Sequence, residues 1–189
     1  MTTCTPSDDR NNINYSLESI ELSTDAEFIE AVQGFFVDSD SAELNILQQD
    51  GANAIVDLAL DYEMNGSCDD LDLLAHVIGR LSDIQVRDYA LGSHNDENLS
   101  TYLAMWHNLT IIAPHHYIAP VACLFASLAY ENGDSELALK AIERALHDDP
   151  SYSLAILLRR VFKAGWPPRS FSAMRAELHP RIVATIFQS

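Results

Sequence analysis

The sequence predicts an all-α protein, a helical bundle that contains one antiparallel helical hairpin. Three observations carry this. Apolar residues recur at three- and four-residue spacing in segment after segment, the period of a helix. Ser, Thr and Asp clusters precede these segments, and Gly or Pro follows them. The 189 residues are 48% hydrophobic, enough for a sizeable core in a chain of ordinary one-domain length.

The elements follow in order. Residues 1–12 are polar and are expected to be disordered, leaving residues 13–189 as one helical domain. Ile13, Tyr15 and Leu17 alternate with polar residues, which suggests one short N-terminal strand within Ile13–Leu22. Thr24 and Glu27 form a capping box, and the helix they open carries Phe28, Ile29, Val32, Phe35 and Phe36 on one face. A short helix is expected after Asp40 or Ser41. A separate one carries Ile55, Val56, Leu58, Leu60 and Met64 and stops at Asn65-Gly66. Asp69 and Asp70 cap the next helix, with Leu73, Leu74, Val77, Ile78 and Leu81 on its face. A short helix ends at Gly92, and another holds Tyr102, Leu103, Trp106 and Leu109 before Pro114.

Pro120 stands in the first turn of a helix reaching about Tyr130. Gly133-Asp134 turns the chain into a helix over Ser135–His147. Pro150 ends that helix and starts one from about Tyr152 to Ala164, stopped by Gly165-Trp166-Pro167-Pro168. A short helix near Ser170–Leu178 precedes a β-branched tail that fits helix or strand. Ala122, Phe125, Ala126 and Ala129 face Ala138, Ala141, Ile142 and Ala145 in the hairpin. Small residues on facing stripes let two helices approach closely.

This spacing resembles a tetratricopeptide repeat: Ala126, Gly133, Ala138, Ile142, Ala145 and Pro150 stand where that unit places its small, turn, large and closing residues. The aromatic expected in mid-helix is Ala129, with Tyr130 one place late, and no second copy of the period is clear. The ordered run of Val86-Arg87-Asp88, Trp106, Leu109, the segment from Pro120 to Leu158 and Gly165-Trp166-Pro167-Pro168 is similar to the C-terminal part of a family of uncharacterised actinobacterial proteins. That likeness covers about residues 84–168 and has no clear counterpart upstream of about residue 80. It implies a helical fold and brings no activity with it.

The net charge is −17 and is uneven. Residues 1–133 carry −19 and residues 134–189 carry +2. An acidic body repels phosphate, which argues against nucleic-acid binding, although the same charge admits an acidic mimic of nucleic acid. The asymmetry also suits an acidic protein partner for the basic C-terminal side, or a homodimer. The N-terminus has no basic and apolar signal pattern and no run spans a bilayer, so a cytoplasmic protein without membrane attachment is expected. Cys4, Cys68 and Cys123 are too far apart for a CxxC site or a disulfide framework.

No Walker, dinucleotide or nucleophile-elbow motif is present, and no cofactor is expected. The candidates for chemistry are few. His107, His115 and His116 cluster in one stretch, but a spacing of eight across Pro114 does not place them on one helix face. A small-molecule site or enzyme using His115, His116 and nearby acids is the alternative they support. Asp38 opens a calcium-like loop that lacks the Gly and Glu such a loop needs. Arg159, Arg160, Lys163, Trp166 and Arg169 form the candidate partner-binding set. The leading expectation is therefore a non-catalytic helical interaction or scaffold module.

Overall fold

The computed structural model describes residues 15–188. The expected disordered stretch and the Ile13 end of the suggested strand lie outside the described residues. Nine α-helices follow a single 3-10 turn, and among the described residues there is no strand. Tyr15–Ile20 runs extended without a ladder, joined to the helices by the Ile20 amide donating to the Ile111 carbonyl at 3.1 Å, and it enters the 3-10 turn Glu21–Thr24. The suggested strand is thus corrected. Two alternating residues are not enough where no neighbouring strand supplies hydrogen bonds.

Helix α1 spans Ala26–Gly34 and is capped by Asp25, whose carboxylate accepts the Phe28 amide at 2.9 Å. Thr24 instead donates its hydroxyl to the Glu21 carbonyl, so the cap lies one residue later than the capping box suggests. Helix α2, Leu44–Asn65, joins two segments expected to be separate. Gly51 does not break it: Gly51 is buried where a Cβ would meet Arg80 Cβ at 2.9 Å, and Ala52, Ile55, Leu58 and Tyr62 after it bury an apolar stripe. Gly66, at φ 76°, ends it. Asp70 caps α3, Leu71–Arg80, and Asp83 caps α4, Ile84–Gly92, each accepting two first-turn amides.

Helix α5 is Leu99–Ile112, α6 Ile118–Glu131, α7 Ser135–Asp148 and α8 Ser153–Lys163. The α6–α7 turn is closed by the Gly133 amide to the Tyr130 carbonyl at 3.0 Å and the Asp134 amide to the Ala129 carbonyl at 2.9 Å. This paired pattern needs a left-handed residue, which Gly133 supplies at φ 88°. Helix α9 runs unbroken over Pro168–Phe187. The expected short helix and the uncertain tail are one element. Pro180 removes one backbone donor, but Phe171, Met174, Leu178, Ile182 and Ile186 keep a single helical stripe across it.

Every residue of α6 from Ala119 to Tyr130 is buried, with α5, α7 and α8 packed around it. Helices α1 and α2 pack on α3 at one end. Helix α9 lies across α4 and reaches α2, where the Ile186 carbonyl accepts from the Asn45 and Gln49 side chains. Among the described residues no helix is long and apolar enough to cross a membrane.

Candidate functional site

Helix α8 carries more apolar residues than its packing can cover. Ala155, Leu158 and Phe162 point into the core and are buried. Leu154, Leu157 and Val161 lie on the adjoining face, and Leu157 is 56% exposed. Helix α9 repeats the excess: Phe171 is buried, while Met174 is 36% and Leu178 47% exposed. Between them, with Leu91 of α4 and Trp166 of the connecting loop, lies an apolar groove of about 390 Å³. The loop is held by the Tyr130 hydroxyl donating to the Trp166 carbonyl and by rings of Tyr130, Phe162, Phe171 and Trp166 meeting one another.

The floor of the groove is polar: its two arginines are paired with carboxylates, while Nδ1 of the lining His179 is buried without a hydrogen-bond partner among the described residues. Arg87 pairs with Asp88 at 2.6 Å, its charged end over the Tyr152 ring. Arg175 forks onto Glu131 at 2.8 and 3.1 Å and donates to the carbonyls of Gly92 and His94. His94 meets the same carboxylate at 3.1 Å. A carboxylate only accepts, so the His94 Nε2 carries the proton. Burial holds His94 below the ordinary histidine value, so it is neutral at pH 7. Burial pushes Glu131 up, but the hydrogen bonds from His94 and Arg175 outweigh it and hold the carboxyl below its usual range. One cation and one anion remain, buried and matched. Gly92 lets α9 come close, since a Cβ there would overlap the His179 ring.

The helices that line the groove also carry basic residues. Residues 151–189 hold Arg159, Arg160, Lys163, Arg169, Arg175 and Arg181 against Glu177, a net of +5, while residues 1–150 carry −22. Arg160 sits three residues after Leu157, and Arg181 three after Leu178, so each lies along an outer edge of its helix. Neither forms an ion pair among the described residues.

The expected partner-binding residues divide. Trp166 lines the groove and Arg160 borders it. Arg159 and Lys163 turn the other way, each 4.0 Å from Glu143 of α7. Arg169 lies by a separate depression with Asp96 and Glu131. The histidines divide too. His107 donates to the Ser16 carbonyl at 2.6 Å between Tyr15 and Phe125, fastening the N-terminal segment. His115 and His116 stack at 3.9 Å, and His115 meets Asp148 at 2.6 Å. Asp148 already accepts the amides of His116, Ile118 and Ala119, and so caps α6 from α7. That explains the acid beside His115 as a helix cap. Among the described residues no His, Cys, Asp and Glu cluster has metal-holding geometry.

Sequence reasoning missed Leu157, Met174, Leu178 and the Glu131–Arg175 pair. The groove was readable in part, because Leu154, Leu157, Leu158 and Val161 widen the apolar arc of α8 beyond one packing face. The pairing of residues 44 positions apart left no local signal.

Residues 9–169 match the model of a family described as a domain of unknown function, DUF4192. The match begins well upstream of residue 80, where the sequence motifs alone had no counterpart. No curated protein and no solved structure matches the chain.

Proposed function

The chain belongs to the DUF4192 family of unknown function, and we propose that it is a non-catalytic helical interaction module whose α8–α9 groove receives an apolar helix face flanked by acids. The observation that carries this reading is the open apolar groove, its lining arginines neutralised by Asp88 and Glu131, on two helices that carry further basic residues. A helix lying in such a groove buries leucine-like anchors at i, i+3, i+4 and i+7. Its flanking carboxylates meet Arg160 and Arg181, which sets orientation and speeds encounter more than it adds affinity. Leu157, Met174, Leu178 and Trp166 lose their exposure to water, and that burial supplies the attraction.

The test is a labelled synthetic helical peptide with leucines at those positions and glutamates beside them, titrated with the full chain. Saturable binding is expected that falls as salt is raised. Leu157→Glu removes it and Arg160→Glu with Arg181→Glu weakens it severalfold. A peptide with lysines in place of the glutamates binds worse. Equal binding of both peptides, or binding untouched by Leu157→Glu, contradicts the reading.

A further inference from the structure

The molecule displays, elsewhere on its surface, the kind of helix its groove is shaped to take. On α2, Val56, Leu60 and Met64 follow one another at four-residue spacing and are 39%, 48% and 72% exposed. They share one stripe of the helix, on the side away from the buried Ile55, Leu58 and Tyr62. Asp57 and Glu63 flank the stripe, both exposed and without an ion pair among the described residues. Three apolar side chains in a row on a 22-residue helix are thus left partly or mostly open to water.

We infer that the groove's occupant is a second copy of this chain: the Val56–Leu60–Met64 stripe of one copy lies in the α8–α9 groove of another, with Asp57 and Glu63 set against Arg160 and Arg181. The inference rests on the groove reading above and names its partner. Charge complementarity is the argument for this occupant. Arg160 and Arg181 stand on the helices that line the groove without an ion pair among the described residues, and Asp57 and Glu63 flank the stripe in the same state, so one copy's groove side attracts another's α2 side. The two surfaces differ, but each copy supplies both, so the contact made reciprocally about a two-fold axis is isologous and closes a dimer.

The test uses the full chain and two variants, Leu157→Glu in the groove and Leu60→Glu on the stripe. Both positions are about half exposed, so each variant keeps its fold, which circular dichroism and melting verify. Light scattering and sedimentation read the mass. The wild type is expected at twice the 21.0 kDa chain mass and each variant alone at the single mass. An equimolar mixture of the two variants re-forms a 1:1 dimer, because one intact groove meets one intact stripe. Wild type that stays monomeric up to about 1 mM overturns the inference. So does association that survives both variants, or variants that fail to pair on mixing. The acidic peptide separates the two claims. Monomeric wild type that still binds it overturns the second-copy occupant and leaves the groove reading intact. Wild type that neither associates nor binds the peptide overturns both.

Discussion

The α6–α7 hairpin and the α8–α9 pair both present apolar faces to one another and end differently. In the hairpin, alanines at regular spacing bring the helices together, and Ala126, Ala129, Ala138, Ala141 and Ala145 are fully buried. In the second pair, leucines and methionine keep the helices apart, and the space between them stays open. The difference is one of side-chain size against helix separation. Small residues close an interface within the chain, while large ones on two splayed helices leave a face that water covers poorly. The hairpin is a finished interface. The second pair is an unfinished one.

The largest effect is expected where the two regions are stitched together. Arg175→Met leaves the buried Glu131 carboxylate unpaired and costs about 3–5 kcal/mol in denaturant melts. A loss below about 1 kcal/mol would mean that the clamp carries no such weight. Buried ionisable groups there and elsewhere in the fold make stability sensitive to acid. His94, His107 and His179 are held below the ordinary histidine value in the folded chain, chiefly by burial. The unfolded chain therefore takes up these protons first, and stability is lost as pH falls below about 6.5. Asp50 and Glu131, held below the usual carboxylate range, add a second loss below about pH 4.5. The Tm is thus expected to fall from neutral pH through both windows. A Tm that rises on acidification contradicts the assignment.

Within the hairpin, Ala141→Leu forces a large side chain into the closed interface and costs about 1–3 kcal/mol. Gly133→Ala meets no neighbour and pays only for its left-handed backbone, about 1 kcal/mol in the same melts. At the groove, Leu157→Glu changes monomer stability by no more than about 0.5 kcal/mol while abolishing peptide binding. The contrast between Ala141→Leu and Leu157→Glu sharpens the comparison most, because one position should matter to folding alone and the other to binding alone.

Much of this architecture was legible in local pattern. The hairpin, its Gly133 turn and the starts of α3 and α7 follow from spacing and capping chemistry at Asp70 and Asp134. The continuity of α2 through Gly51 and of α9 through Pro180 was not legible, since tertiary burial outweighs the local cost of those residues. The basic edge was visible as charge, but its division was not. Whether Arg159 faces Glu143 or the groove depends on how α8 is rotated on α7, which no neighbouring residue reveals. Asp148 lies one residue past the expected helix end at His147, and its cap on α6 required the fold.

Trp166 reports directly on whether the α8–α9 face is an open docking surface. Trp106 is fully buried, whereas Trp166 is 37% exposed at the groove. Acrylamide quenching of the full chain at a concentration where it is monomeric, with and without the acidic amphipathic peptide, isolates that residue. The account predicts that the quenchable fraction falls on peptide addition and that Leu157→Glu removes the change. Quenching that is unaltered by saturating peptide would contradict it.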